Sequence, residues 1–229
     1  GIESPYKSVL KLLLTEVYAS EHPGTRCLSL DFKHQVYANH LDVDELDPYV
    51  MLYRRIETYL LQRDEHERLE LVRRCLYIKA DVRLSRRTGV LGWKRSLIEK
   101  LVREWQWDAR QLQQMDNRQG WRVREVSQER LLLVSELTHS YRFLSQFGRG
   151  QNVINKVNSR DLSLLGRRLY AAFERKAGKI EVINPGIAPD LSEPLLTLAL
   201  RPEGDDRQAH WSLYRGTLNQ QELGDHAPL

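Results

Sequence analysis

The sequence predicts a mainly α-helical domain that ends in a small antiparallel β-meander, so that the chain as a whole is α+β. Over the first three quarters of the chain, apolar residues recur three and four positions apart, which is the spacing of one helix face. After Gly178 the pattern changes to alternation, which is typical of strands. We therefore expect a helical domain over residues 1–178, followed over 179–229 by short antiparallel strands and a tail that begin a further region.

Two helix starts are marked by the same pair of residue types. Ser4-Pro5 and Asp47-Pro48 each place a capping side chain directly before a proline, which is favoured in the first turn of a helix. The first of these helices is expected to end at His22-Pro23-Gly24. Their apolar faces are predicted to carry Val9, Leu10, Leu13, Leu14, Val17 and Tyr18 in the first helix, and Val50, Tyr53, Ile56 and Leu60 in the second.

Three more helical segments follow from the same spacing. The first runs from Leu69 to Ala80 and is ended by Gly89 and Gly92. The second carries Leu97 to Trp105, and a short helical turn capped by Asp108 comes directly after it.

A long helix is expected from about Trp121 to Phe147, and a last one from Ser159 to Gly178, with a polar loop at 148–158 between them. The inward face of the long helix is predicted to carry Val123, Val126, Leu131, Val134, Leu137, Tyr141 and Leu144.

The last fifty residues predict three strands. Lys179 to Ile183 alternates, Leu195 to Leu200 is an apolar run, and His210 to Tyr214 alternates again. So short a sheet is marginally stable by itself, so we expect it to pack on the helices or to join a further region.

Composition excludes several classes of protein. The formal net charge of the 229 residues is +4, and the longest apolar runs, such as Leu131–Val134, fall far short of the ~18 residues of a membrane span. Two cysteines cannot form a disulfide framework, so we expect a cytoplasmic protein. No signal peptide is recognisable, and the missing initial Met suggests a piece of something longer.

Charge is distributed unevenly along the chain. Residues 1–180 carry 32 basic and 23 acidic side chains, whereas the rest carries three arginines and eight acids. Basic residues are densest between Arg73 and Arg95, where they could form an anion-binding or partner-binding patch, because arginine binds phosphates and carboxylates in a two-pronged geometry. A solvated helix face is the other interpretation. The patch consists of Arg73, Arg74, Arg83, Arg86, Arg87, Lys94 and Arg95.

No catalytic or metal-binding motif is recognisable. Seven histidines are scattered without ligand spacing, and neither a phosphate-binding loop nor a nucleophile elbow occurs. The run Asp42-Val43-Asp44-Glu45 resembles a carboxylate pair for two metal ions, but it directly precedes a helix start and is better interpreted as an acidic, capped loop. We therefore assign no catalytic and no metal-binding residue.

Five tryptophans beside many arginines could form a stacking platform for single-stranded nucleic acid. Trp105 continues a helical apolar stripe, however, and the other four flank helix ends, where they would seal the core. A core role is therefore favoured. An arginine-rich interaction or nucleic-acid-binding module remains the alternative to the function given below.

Several stretches together resemble the middle of the class I (enterobacterial-type) adenylate cyclases. The resemblance extends from about Glu3 to Tyr214, and the segment from Asn184 to Thr197 is its most specific part, because no general rule of folding requires it. The matching stretches include Ser4-Pro-Tyr-Lys-Ser-Val-Leu-Lys, Leu46-Asp-Pro-Tyr-Val-Met, Leu71-Val-Arg-Arg-Cys-Leu-Tyr-Ile-Lys, Gly92-Trp-Lys-Arg, Leu169-Tyr-Ala-Ala-Phe-Glu, and the run from Ile183 to Thr197.

The resemblance implies a cytoplasmic enzyme that converts ATP to 3′,5′-cyclic AMP and pyrophosphate with Mg²⁺. In this family the catalytic nucleotidyltransferase-like domain precedes the matching segment, and its Gly-Ser turn and Asp-x-Asp pair have no counterpart here. The segment is therefore expected to support or regulate the catalytic core and to bind neither ATP nor Mg²⁺ alone. Its implied partners are the preceding catalytic domain and a regulator from the sugar phosphotransferase system, whereas nucleic acid is not expected.

One link to ATP is predicted at the first helix. Related nucleotidyltransferase folds often place a helical domain so that basic and hydroxyl side chains at its edge contact the triphosphate, which is an analogy only. Lys7 and Lys11 lie four residues apart on one helix face, and Tyr6 places a hydroxyl near the helix N-terminus, which favours anions. These three residues are predicted to contact the ATP phosphates, and ordinary solvated lysines are the other interpretation.

Overall fold

A computed structural model of the chain confirms the mainly helical class with a small antiparallel sheet near the C-terminus. The structure describes residues 4–38, 47–86, 92–150, 167, 186–189, 192, 194–202 and 209–225. Within these residues the helices are α1 Pro5–Ser20, α2 Leu28–Tyr37, α3 Pro48–Leu61, α4 His66–Ala80, α5 Trp93–Glu104, α6 Ala109–Asp116, α7 Val123–Gly150 and a short α8, Glu222–Asp225. The strands are β1 Leu196–Pro202 and β2 Ala209–Arg215.

The predicted helix starts are confirmed, although the two caps differ. Asp47 accepts hydrogen bonds at Oδ1 from the backbone N–H groups of Tyr49 (2.8 Å) and Val50 (3.1 Å). Ser4 precedes α1 without capping it through its side chain, and its carbonyl accepts a hydrogen bond from the Ser8 hydroxyl instead (3.0 Å). The start of α3 is therefore the one stabilised by its capping side chain.

The capped turn at Asp108 is also confirmed. The Asp108 carboxylate accepts from the Gln111 N–H at 2.7 Å, and the Gln111 side chain accepts from the Asp108 N–H at 2.9 Å. This reciprocal pair is a capping box, which satisfies two donors that the first turn of α6 would otherwise leave unpaired.

The core lies where α1, α3, α4, α5 and α7 meet. Leu13 and Val17 of α1, Ile56 of α3 and Val72 of α4 are fully buried, which confirms the predicted inward faces of these helices. α1 contacts α3, α4 and α7, so it is central to the packing.

The inward face of α7 differs from the prediction. Its buried residues are Val126, Glu129, Leu133, Glu136 and Ser140. Leu131, which we expected inside, is 54% exposed. The helix also continues to Gly150, so residues 148–150 of the predicted polar loop are helical and the prediction was wrong there. Glu129 and Glu136 lie inside because two arginines of α4 form ion pairs with them, Arg74 with Glu129 and Arg68 with Glu136.

The tryptophans divide between core and surface. Trp105 and Trp121 are buried, as predicted. Trp93 and Trp211 are 68% and 65% exposed, so the core prediction was wrong for these two. Because both buried rings are enclosed by the helices, they cannot serve as a stacking platform for nucleic acid.

α2 was not predicted. None of its residues is buried, and Arg55 of α3 connects it to the bundle. The Arg55 guanidinium binds Asp31 of α2 at 3.2 Å and Glu21, just after α1, at 2.5 Å. Ion pairs of Arg55 therefore attach α2 to the bundle, and Leu28 at its start packs against the core.

β1 and β2 form an antiparallel hairpin in which Leu198 lies opposite Leu213 and Leu200 opposite Trp211. On its other face, Ser212 and Tyr214 are buried. The predicted strand at 179–183, the predicted helix at 159–178, the acidic run at 42–45 and the domain boundary at 178 fall largely or wholly outside the described residues. A search of the helices that the structure describes finds none both long and apolar enough to cross a membrane.

Candidate functional site

The three residues predicted to contact phosphate lie in the first two turns of α1. Lys11 is exposed and Lys7 half-buried, and among the described residues no hydrogen-bond or ion-pair partner is found for either ammonium group. The Tyr6 ring is 4% exposed, and its hydroxyl has no hydrogen bond within the described part of the chain. Burial raises the pKa of Tyr6, and the nearby Arg118 opposes that shift only in part, so the phenol is neutral.

Three arginines of the predicted basic patch are used inside the fold. Arg74 forms an ion pair with Glu129 of α7, which is buried. Arg73 donates to the Tyr53 hydroxyl at 3.4 Å and lies 3.5 Å from Glu70. These two side chains therefore connect α4 to its neighbours and are not available to bind an anion or a partner protein.

Arg95 of α5 has a comparable structural role. Its Nε donates to Glu99 at 2.9 Å, while Nη1 and Nη2 each donate at 3.1 Å to the carbonyls of Arg83 and Leu84. One guanidinium thus fastens the turn after α4 to α5.

Arg83 and Arg86 lie on that turn, beyond the end of α4. The helix stops at Ala80, where Asp81 adopts the left-handed conformation (φ 54°), so Arg83 and Arg86 do not lie on the helix that carries Arg73 and Arg74. Lys94 is exposed at the start of α5, and Arg87 lies outside the described residues. The predicted patch is therefore reduced to Arg83 and Arg86 as neighbours on one surface feature.

That feature is a cleft of about 580 Å³ between the turn after α4 and the turn between α6 and α7. We call it the arginine cleft. A smaller recess of about 30 Å³ adjoins it and shares Arg83, Asp116 and Gln119 with it. The residues lining the arginine cleft are Arg83, Arg86, Gln114, Asp116, Asn117, Gln119, Gly120, Trp121, Arg122 and Glu125.

A buried hydrogen-bond network fixes the floor of the arginine cleft. The Tyr77 hydroxyl donates to Asp116 Oδ1 at 2.7 Å and accepts from the Leu84 N–H at 3.1 Å. Asp116 Oδ2 accepts from the Ser85 N–H at 2.7 Å. Burial, followed by the hydrogen bond to Asp116, raises the pKa of Tyr77, so the hydroxyl remains a donor. Both carboxylate oxygens of Asp116 are thereby satisfied.

Two arginines of the turn between α6 and α7 were missed by the sequence analysis. Arg122 lines the arginine cleft, and Arg118 lines the smaller recess beside it. Arg118 donates to the carbonyls of Gly186 (3.0 Å) and Ile187, and its guanidinium lies 5.7 Å from the centre of the Tyr6 ring. Arg122 donates to the Ser192 carbonyl at 2.8 Å. The only sequence signal was the turn-forming run Asp116-Asn-Arg-Gln-Gly, which separates two helical stripes.

A second buried charged cluster connects α1, α4 and α7. Arg68 donates to Glu16 at 2.9 Å and to Glu136 at 2.6 Å, and Glu16 also accepts from the Tyr59 hydroxyl at 3.0 Å. Burial by itself would raise the pKa of Glu16, but the hydrogen bonds from Arg68, Ser140 and Tyr59 outweigh it and hold that pKa below its usual value. Such a cluster fixes how the three helices pack rather than forming a reactive site.

No group of three or more His, Cys, Asp or Glu side chains within the described ranges is placed to hold a metal ion. The candidate site is thus a polar cleft lined by Arg83, Arg86 and Arg122, between the turn after α4 and the turn between α6 and α7.

Comparison with known proteins places this helical unit in a family. The family model described as "Adenylate cyclase, class-I, second domain" matches residues 1–184, so the chain belongs to that family. Curated proteins named adenylate cyclase from Escherichia coli strain K12 and Salmonella typhimurium strain LT2 are each 40% identical to the chain over 229 residues. The adenylate cyclase of Proteus mirabilis is 36% identical over 232 residues. All of this chain is covered in each case, but it spans 27% of the relatives' length. No solved structure matches.

Proposed function

We propose that this chain is the helical region of an adenylate cyclase, an enzyme that converts ATP to cyclic AMP and pyrophosphate with Mg²⁺. In this proposal the region supports or regulates the catalytic core and does not itself carry the metal-binding carboxylates. The observation that carries it is the match of residues 1–184 to a domain described as the second of its family, in relatives of which the chain spans 27%. The proposed compartment is the cytoplasm, and the proposed partners are the preceding catalytic domain and a phosphotransferase-system regulator.

The residues of the arginine cleft do not fit a magnesium ion. Magnesium prefers carboxylate oxygens and keeps a strict octahedral geometry. Both oxygens of Asp116 accept hydrogen bonds, from Tyr77 and from Ser85, and Glu125 accepts one from the Arg122 N–H at 3.0 Å. We therefore assign Mg²⁺ to the parent enzyme and not to the arginine cleft.

Within this function, we assign Lys7 and Lys11 to contacts with the ATP phosphates of the parent enzyme. Support comes from their side chains, which have no partner among the described residues and lie four residues apart on one helix face. Tyr6 is left out of this assignment, because its ring is 4% exposed and its hydroxyl is buried rather than directed to the surface.

Steady-state kinetics of the full-length enzyme test this assignment. Lys7→Ala or Lys11→Ala should raise the KM for ATP or lower kcat, at a cost of about 1–3 kcal/mol for a lost charge-assisted hydrogen bond. Tyr6→Phe should leave both kinetic constants unchanged, because the Tyr6 hydroxyl is buried. Lys33→Ala, which removes an exposed lysine of α2, is the matched control and should behave like the parent. The assignment is rejected if both lysine variants stay within about twofold of the parent, well under 1.4 kcal/mol.

A further inference from the structure

Arg83 and Arg86 differ from six other arginines of the helices, because the part of the chain that the structure describes offers their side chains no hydrogen-bond or ion-pair partner. Arg54, Arg55, Arg68, Arg73, Arg74 and Arg95 all form ion pairs with carboxylates. For Arg83 and Arg86, no side-chain hydrogen bond or ion pair is found among the residues that the structure describes. Both guanidinium groups line the arginine cleft, so their full donor sets are available to a ligand.

The backbone that carries these two residues is held in place. Arg95 binds the carbonyls of Arg83 and Leu84, the Tyr77 hydroxyl accepts from the Leu84 N–H, and Asp116 accepts from the Ser85 N–H. Four hydrogen bonds thus fix the backbone of residues 83–85, directly before Arg86, in the turn that follows α4. A turn fixed in this way presents its side chains with less loss of conformational entropy on binding, which favours affinity.

The opposite side of the cleft supplies further donors. Arg122 uses one nitrogen on the Ser192 carbonyl and retains the others, since a guanidinium has five N–H donors. The side chains of Gln114, Asn117 and Gln119 also line this side. At about 580 Å³, the cleft lies within the size range of small-molecule sites.

The charges of the lining residues select the class of ligand. Three arginines face the cleft together with two acidic residues, Asp116 and Glu125. A singly charged carboxylate would gain little from so small a positive excess. An anion with three or four charges gains from each arginine, and phosphate oxygens suit the paired N–H groups of arginine.

We propose that the arginine cleft binds a small di- or triphosphate anion, either free or carried by a nucleotide. Arg83 and Arg86 bind the phosphate oxygens from one side and Arg122 from the other. The proposal does not depend on the cyclase function, because binding is measured on the chain itself without any turnover. It departs from the expectation, drawn from the sequence, that the chain alone binds no ATP.

Isothermal titration calorimetry of the 229-residue chain at low salt tests the proposal with three probes: pyrophosphate, ATP and orthophosphate. Pyrophosphate and ATP should bind saturably, and orthophosphate at least tenfold more weakly. Arg83→Ala combined with Arg86→Ala should weaken pyrophosphate binding at least tenfold. The matched control, Lys33→Ala combined with Arg110→Ala, removes two exposed positive charges outside the cleft and should stay within twofold of the parent.

Each outcome decides the proposal. Tighter binding of ATP than of pyrophosphate shows that the nucleoside contributes, and equal binding shows that the phosphates alone are recognised; either result supports the proposal. The proposal is overturned if neither pyrophosphate nor ATP binds saturably up to about 1 mM. It is also overturned if orthophosphate binds as tightly as pyrophosphate, or if the two double variants lose the same affinity for pyrophosphate. Far-ultraviolet circular dichroism confirms that the variants are folded, so a loss of binding can be assigned to the cleft.

Discussion

At the scale of single residues, the most informative side chain is Glu16, a carboxylate that is 1% exposed inside a helical bundle. Burying it is tolerated because Arg68 and Tyr59 donate to it. Arg68 serves Glu136 at the same time, so one guanidinium neutralises carboxylates from two different helices. Removing a single member leaves a buried charge without its partner, which costs more than the pair contributes.

We predict that Glu16→Gln lowers the free energy of unfolding by about 1–3 kcal/mol at pH 7, because the charge-assisted hydrogen bonds from Arg68 weaken. The pKa of Glu16 in the folded state lies below its ordinary value of 4.5. Its contribution is therefore complete above the unfolded pKa and is lost as the pH falls towards the folded one. Urea titrations of the parent and the variant should converge as the pH falls below the ordinary pKa of 4.5.

Glu67→Gln is the control for this experiment, since Glu67 is an exposed carboxylate in the first turn of α4. It should change stability by less than about 0.5 kcal/mol at either pH. A stability difference between the parent and Glu16→Gln that stays constant or widens as the pH falls would contradict the role assigned to Glu16.

At the scale of elements, the two helix starts that the sequence predicted equally well differ in how they are stabilised. Asp47→Ala removes two hydrogen bonds to backbone N–H groups of α3 and should cost about 0.5–2 kcal/mol in urea unfolding. Ser4→Ala should cost less than about 0.5 kcal/mol, because the Ser4 side chain does not cap α1. Equal costs for both substitutions would show that the caps are not distinguished in this way.

Local sequence signals account for the helix starts, since capping residues and prolines act over three or four positions. They could not locate α2, whose apolar residues Leu28, Leu30, Phe32 and Val36 do not form a single buried stripe and which is attached through Arg55. They also placed Leu131 rather than Glu129 on the inner face of α7. A carboxylate can be placed inside only when its partner is known, and Arg74 is 55 residues away in the sequence.

At the scale of the whole molecule, local sequence signals again identify only part of the candidate site, because they do not reveal residues that are distant in the sequence and close in the fold. Arg83 and Arg86 were identified from the local density of positive charge. Arg122 of the cleft and Arg118 of the adjoining recess were not, because only the turn between α6 and α7 brings them there. These two arginines also bind the carbonyls of Gly186, Ile187 and Ser192, which belong to the segment singled out by the resemblance, Asn184 to Thr197.

The central claim is that this chain is a supporting region of a cyclase and does not itself catalyse the reaction, and the most direct test is to measure cyclic AMP formed by the purified 229-residue chain. The chain, shown to be folded by far-ultraviolet circular dichroism, is incubated with ATP and either Mg²⁺ or Mn²⁺, in parallel with a full-length cyclase. We predict no cyclic AMP above the protein-free blank from the chain, because two-metal catalysis needs carboxylates that we assign to the rest of the enzyme. Cyclic AMP that rises in proportion to the concentration of the isolated chain would contradict the claim.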